Sequence, residues 1–222
     1  MRLSQFIDPG PWLWPRGASR DLLYLLWLGD LAFIILHLCF YRELGMRPVF
    51  SLEEDRSYAE FYQYTKELWL ACLLLTVAIQ RKQWLYYVFA LLFVYFFCDD
   101  ALRIHETLGL WLVETFGIEK AHGFRAADYG ELIVVGVIGL GFLFNIGLGC
   151  LTADHRNRQV AIQLLGLLFC LFFFGVVADM LHVLLSRIRG FMAIFEDGGE
   201  MAVMSFILAY VFQLKRLGPE PD

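Results

Sequence analysis

Residues 84–106 read WLYYVFALLFVYFFCDDALRIHE: fifteen uncharged residues from Trp84 to Cys98, then two aspartates, an arginine, a histidine and a glutamate within eight positions. An apolar run approaching the roughly 20 residues that cross a bilayer, closed by a charged tail, reads as a membrane helix. Within lipid each backbone amide must find its partner inside its own segment, which makes the run a helix and not a strand. The same pattern repeats on both sides. Leu22–Tyr41, Leu68–Gln80 with an aromatic lead-in from Tyr58, Glu131–Leu151, Val160–Leu185 and Met201–Leu214 are the other apolar stretches.

The expectation is therefore an all-α polytopic membrane protein, a bundle of six transmembrane helices. It forms one domain over residues 1–222, with a short interfacial N-terminal segment at 1–20. Composition supports this. Hydrophobic residues make up 59% of the 222-residue chain and charged ones 18%, more apolar surface than a water-soluble fold of this size can hide. All six prolines (Pro9, Pro11, Pro15, Pro48, Pro219 and Pro221) fall outside the spans, so no proline kink is expected. The net charge of −5 with evenly spread basic residues excludes nucleic acid as a partner. The five cysteines lie inside apolar runs without a CxxC and read as buried small hydrophobes.

With the N-terminus placed in the cytoplasm, the 18 lysines and arginines divide evenly between the two sides. The tight basic turns Arg81-Lys82 and Asp154–Arg158, with Lys215-Arg216, favour both termini in the cytoplasm of a plasma or inner membrane. Nearly all carboxylates then gather at the non-cytoplasmic helix ends. Membrane insertion does not require that asymmetry.

The acidic ends hold the chemistry. If the third helix runs on, Asp99, Arg103 and Glu106 share a face, and His105 joins Asp99 only if the helix breaks near Arg103. Glu119-x-x-His122 occupies a polar connection. Asp128 and Glu131 open the fourth helix as a pair of ligands or as an N-cap with its N3 partner. Asp179 and His182 are one helical turn apart inside an apolar run, where ionisable groups point to function or to an interhelical pin. Glu196 and Glu200 start the last helix. Carboxylates crowded in low dielectric need a cation or a shared proton. A divalent metal (Fe, Mn or Zn, with Ca or Mg as the carboxylate-only option) is accordingly expected at Asp99, His105, Glu106, Glu131, Asp179, His182, Glu196 and Glu200.

Each group also has a plain role open to it: ion pairing of Asp99, Arg103 and Glu106, solvated loop residues at 119–122, helix-dipole compensation at Glu196 and Asp197. Asp30 and His37, seven apart in the first helix, suit a proton path or a polar pin. Tyr58, Glu60, Tyr62, Tyr64, Lys66 and Glu67 crowd the approach to the second helix, as a roof over the cluster or an interfacial collar. No HExxH, GxSxG, P-loop or GxGxxG occurs, which leaves zincin, serine-hydrolase and nucleotide chemistry without their motifs. Three functions stay open: a metal-dependent enzyme acting on a lipid or another hydrophobic small-molecule substrate, a cation- or proton-coupled carrier, and a noncatalytic subunit or assembly factor that binds other membrane subunits.

Overall fold

The computed structural model describes residues 13–41, 48–121, 123–178 and 189–218, and among these the chain is helical, with only one isolated bridge, Ala121 to Phe124. Seven α-helices follow in order: α1 (Ala18–Tyr41), α2 (Tyr58–Arg81), α3 (Trp84–Leu102), α4 (Ile104–Phe116), α5 (Ala126–Thr152), α6 (His155–Phe172) and α7 (Arg189–Leu217). A 3₁₀ turn at Pro48–Phe50 precedes α2, and a π-helical stretch, Phe173–Ala178, continues α6.

Local chemistry sets the helix ends. Ser57 accepts from the Glu60 amide at 3.2 Å and Asp154 from the Asn157 amide at 2.8 Å, each satisfying a donor the first turn leaves open. Lys82 and Gly117 close α2 and α4 in the left-handed conformation, with φ of 50° and 64°.

Helices cover the described parts of all six expected stretches, and among the described residues four are long and apolar enough to cross a membrane: Ala18–Cys39, Trp84–Leu102, Ala126–Thr152 and His155–Ala178. The other two, α2 and α7, carry Glu60, Lys66, Glu67, Glu196, Asp197 and Glu200 in their outer halves. They can do so because they are wrapped by neighbours. α2 packs against α3 and α7, and α7 against α1. Of the six expected spans, four thus qualify by length and composition among the described residues, and two are polar-ended helices; the short α4 was not foreseen.

The core joins Leu70, Leu74 and Val77 of α2, Leu85, Phe89 and Phe93 of α3, Val160 and Leu164 of α6, and Met204, Ile207, Leu208 and Val211 of α7. Outside it, Leu25 and Leu28 on α1, Leu140 and Phe144 on α5, and Ile162 and Phe169 on α6 are exposed. Such a continuous apolar flank suits acyl chains and not water. The cysteines are another correction. None of the five is fully buried and none is in a disulfide: Cys72 and Cys170 are exposed, while Cys39, Cys98 and Cys150 are half-buried, Cys150 against the core.

A polar lock closes the end of the bundle opposite the acids. Asn157 Oδ1 accepts from the Tyr86 hydroxyl at 2.6 Å and Arg81 Nη1 at 3.0 Å, while its Nδ2 donates to Asp154 at 2.6 Å. Arg81 Nη2 reaches the Leu214 carbonyl at 3.3 Å. Four helices meet there: α2, α3, α6 and α7. Replacing Asn157 by alanine takes away the acceptor of the buried Tyr86 hydroxyl proton and leaves Arg81 Nη1 with only the Tyr86 oxygen at 3.2 Å. Denaturation in detergent is expected to show a loss of about 1–3 kcal/mol; an unchanged midpoint would show that water replaces the amide.

Candidate functional site

The break between α3 and α4 builds the site. Arg103 adopts φ 54° and ψ 48°, a left-handed conformation that a non-glycine residue holds only with support. Support comes from Asp55, 3.0 Å from Arg103 Nη1, and from the Arg103 guanidinium clasped by Glu106. The turn swings His105 back over the end of α3. Its backbone amide donates to Asp99 Oδ1 at 2.8 Å, and its ring Nδ1 lies 2.9 Å from Asp99 Oδ2. The condition set by the sequence is met: the helix breaks at Arg103, and His105 joins Asp99. Arg103 and Glu106 pair with each other and do not share a continuous face with Asp99.

Asp99 is a buried cap for α4 and the orienting partner of His105. That hydrogen bond favours the protonated ring and raises the His105 pKa above its ordinary value, burial opposing it. Nε2 is left as the ring nitrogen on the far side from Asp99.

Beside this dyad α2 offers Glu60, Gln63 and Glu67, one face of the helix at i, i+3 and i+7. Glu67 is 1% exposed, and its carboxyl is in hydrogen-bond contact with Asp100. Two carboxyl groups in such contact need a proton between them. Tyr64 holds the approach in place, donating to Glu60 and to the Asp100 carbonyl, the latter at 3.1 Å. From α7, Glu200 comes up against Gly175 of the π-helical stretch, where an added Cβ would lie 3.3 Å from Glu200 Oε2. Neighbouring Gly199 is equally required, since a Cβ there would fall on the Phe174 ring. The Gly198-Gly199 pair therefore sits inside α7, which begins at Arg189, and is no helix start. It lets α6 and α7 close on each other.

These groups line one end of a cavity of about 1070 Å³. Glu60, Gln63, Glu67, Asp99, Asp100, His105, Glu196, Asp197 and Glu200 all face it. The other end is apolar, built by Ile138, Phe142 and Ile146 of α5 with Leu165, Leu168 and Leu171 of α6. Leu140 and Phe169 line it as well, and they are 67% and 69% exposed. The cavity consequently opens on the apolar flank between α5 and α6.

Of the eight expected ligands, Asp99, His105, Glu196 and Glu200 line this cavity, and Asp179 and His182 lie outside the described residues. Glu106 is held by Arg103. Glu131 stands at the α4–α5 crossing, within electrostatic range of His105 and Glu106. His122 is also outside the described residues. Among the described residues no group of three or more His, Cys, Asp or Glu side chains is arranged to hold a metal ion. The reason is visible at Asp99, whose two oxygens are both committed to His105. The N-cap expectation shifts by one turn: Arg125 is the N-cap of α5, and Asp128, at N3, accepts from its amide at 2.7 Å.

Asp30 and His37 do not continue the site as a path. Asp30 is bound by Lys66 at 3.0 Å and Ser205 at 2.6 Å, while His37 Nδ1 accepts from the Leu52 amide at 3.0 Å. The pin expected for Asp30 is the arrangement observed, joining α1, α2 and α7. Glu67, Asp100 and Gln63 were not among the expected site residues. The 60/63/67 stripe on α2 was the available signal, obscured by the charges and aromatics around it.

The chain belongs to a family described as a domain of unknown function (DUF8692), which matches residues 22–214. Neither a curated protein nor a solved structure matches it.

Proposed function

We propose that this protein is a multi-pass membrane enzyme, both termini cytoplasmic, that performs acid–base chemistry on a lipophilic molecule entering from the bilayer. The observation that carries this is the Asp99–His105 dyad opening on a cavity that is carboxyl-rich at one end and apolar at the other. A histidine whose Nδ1 is fixed by a buried carboxylate is oriented to take a proton at Nε2 from water or a substrate hydroxyl. The Glu67–Asp100 pair holds a proton within the same cavity end and can return it to a leaving group. The apolar arm supplies the positioning that converts a collision into a fixed geometry. What supports catalysis over transport is that Asp30, the expected continuation of a proton path, is tied into an ion pair.

The sign of the pH dependence follows from His105. Its folded pKa is raised, so the stability it draws from Asp99 is fully present below about 6.5 and is lost as pH rises through the folded value. The neutral ring, the form able to act as base, gains population over that same rise. Turnover should therefore increase with pH, with a midpoint above about 6.5, and Asp99→Asn should move that midpoint down.

The test incubates the full chain in nanodiscs with fractionated membrane lipids and follows each species by mass spectrometry. A species consumed by the wild type should be consumed about 10²–10⁴-fold more slowly by His105→Ala. An NMR titration of labelled histidine reads the shifted midpoint independently of the substrate. Equal turnover by His105→Ala, or no species consumed at all, would remove the enzymatic reading.

A further inference from the structure

The cavity's polar end is lopsided in charge. Among the described residues, ten carboxyl residues line it (residues 53, 54, 55, 60, 67, 99, 100, 196, 197 and 200) with one imidazole and no lysine or arginine, Asp55 being paired with Arg103 outside the lining. Lys66, the nearest ammonium, is turned away into Asp30, the Met201 carbonyl and Ser205. Two deeply buried side chains in this lining also have polar atoms left open. Both amide atoms of Gln63, a residue 7% exposed, are without a hydrogen bond, although its side chain approaches Glu200. Glu67 Oε2 is likewise unmatched. Buried polar atoms left open in a cavity wall are atoms that a ligand completes.

We infer that the ligand is a long-chain amine, an amphiphile whose protonated amino head sits among Glu67, Asp100 and Glu200 while its chain lies along α5. This deepens the proposed function and rests on its reading of the cavity as a lipophile site. An ammonium offers three donors and a positive charge, matching the Glu67, Asp100 and Glu200 carboxyls, on two of which (Glu67 and Glu200) Lys66 acts only through its field while it is bound to Asp30. The Gln63 amide can supply a donor to a hydroxyl or carbonyl oxygen near that nitrogen and an acceptor to the head itself. An anionic head meets only repulsion and the cost of desolvation in the same place.

The chain's route is marked by glycine. A Cβ on Gly136 or Gly139 would meet nothing within 4 Å, and both residues line the cavity beside Ile138 and Phe142. The missing side chains leave the groove that a hydrocarbon chain fills, running from the acid end to the mouth at Leu140 and Phe169.

The experiment measures binding of hexadecylamine, hexadecanoate and monopalmitoylglycerol to the full chain in phosphatidylcholine nanodiscs at neutral pH. Hexadecylamine should bind at least about ten-fold more tightly than the carboxylate, corresponding to one well-placed charge-assisted contact. Glu200→Gln and Gln63→Leu should each reduce that preference by about ten-fold. Gly139→Trp should abolish uptake of all sixteen-carbon chains.

If the neutral glyceride binds in a Gly139-dependent way but amine and carboxylate bind equally, the amine inference fails and the lipophile site stands. If no chain binds in a Gly139-dependent way, the cavity reading itself fails. If manganese alone at micromolar concentration displaces the amine, and Glu200→Gln removes the metal, the acid end is a metal site and the amine inference is overturned.

Discussion

Replacing Lys66 by methionine is expected to destabilise the folded protein by about 3–5 kcal/mol, because it leaves the Asp30 carboxylate buried without its cation. The Lys66 side chain is 0% exposed and that of Asp30 4%, and the two meet at 3.0 Å. Lys66 also donates to the Met201 carbonyl at 3.0 Å, and Ser205 donates to Asp30 at 2.6 Å. One ammonium therefore ties α1 and α7 to α2. The Tyr62 ring, 4.7 Å from Nζ, covers another side of the charge. Removing both charges together is a different matter. Lys66→Met with Asp30→Leu eliminates the unpaired group, and such replacements of buried pairs by apolar residues are often close to neutral. Unfolding by graded denaturing detergent should show the single variant far below wild type and the double variant recovering most of the difference. A single variant as stable as wild type would mean that Asp30 reaches water or a proton in the folded state.

The second large effect is expected at the crossing of α4 and α5. Gly109 and Gly130 bring two backbones into direct contact. A Cβ on Gly130 would fall on the Gly109 carbonyl, and one on Gly109 would lie 2.7 Å from the Glu131 amide nitrogen. Those obstacles are main chain, which cannot rotate out of the way. Small residues at such crossings let helices approach closely in a bilayer, where packing and not water expulsion drives association. Gly130→Ala should cost about 1–3 kcal/mol, and the crossing should splay. Gly147→Ala provides the control on the same helix. A Cβ there meets nothing within 4 Å, so alanine should be neutral or stabilising by up to about 1 kcal/mol. Because α4 carries His105, a splayed crossing should also loosen the dyad. The raised His105 midpoint should then fall in Gly130→Ala along with thermal stability. Stability lost with the midpoint unchanged would show that Asp99 alone positions the ring.

Much of this architecture is legible in one dimension. Apolar length and the absence of proline mark where the helices lie, since lipid admits no other arrangement of backbone amides. The run at 84–98 becomes most of α3, and the described parts of the other five stretches are helical. The concentration of carboxylates at one end of the bundle is equally readable. So is the condition on His105, because helical phase alone places it off the Asp99 face unless the chain turns at Arg103.

Other features depended on side chains distant in sequence. Hydropathy undervalues α2 and α7, whose charged outer halves are enclosed by other helices and by each other's partners. Lys66 and Glu67 are adjacent in sequence, yet one goes to a structural pin and the other to the cavity. Adjacent residues on a helix diverge by about 100° of arc, and only the neighbouring helices assign a meaning to each direction. The same applies to Asp99 and Asp100, one capping α4 and holding His105, the other in contact with Glu67. The sequence by itself determined that apolar helices would form and that acids would collect at one end, for these are properties of single segments against lipid and water. Tertiary structure alone decided which acid meets which base, because a hydrogen bond of about 3 Å depends on how helices cross, and glycine pairs such as Gly109–Gly130 set that crossing.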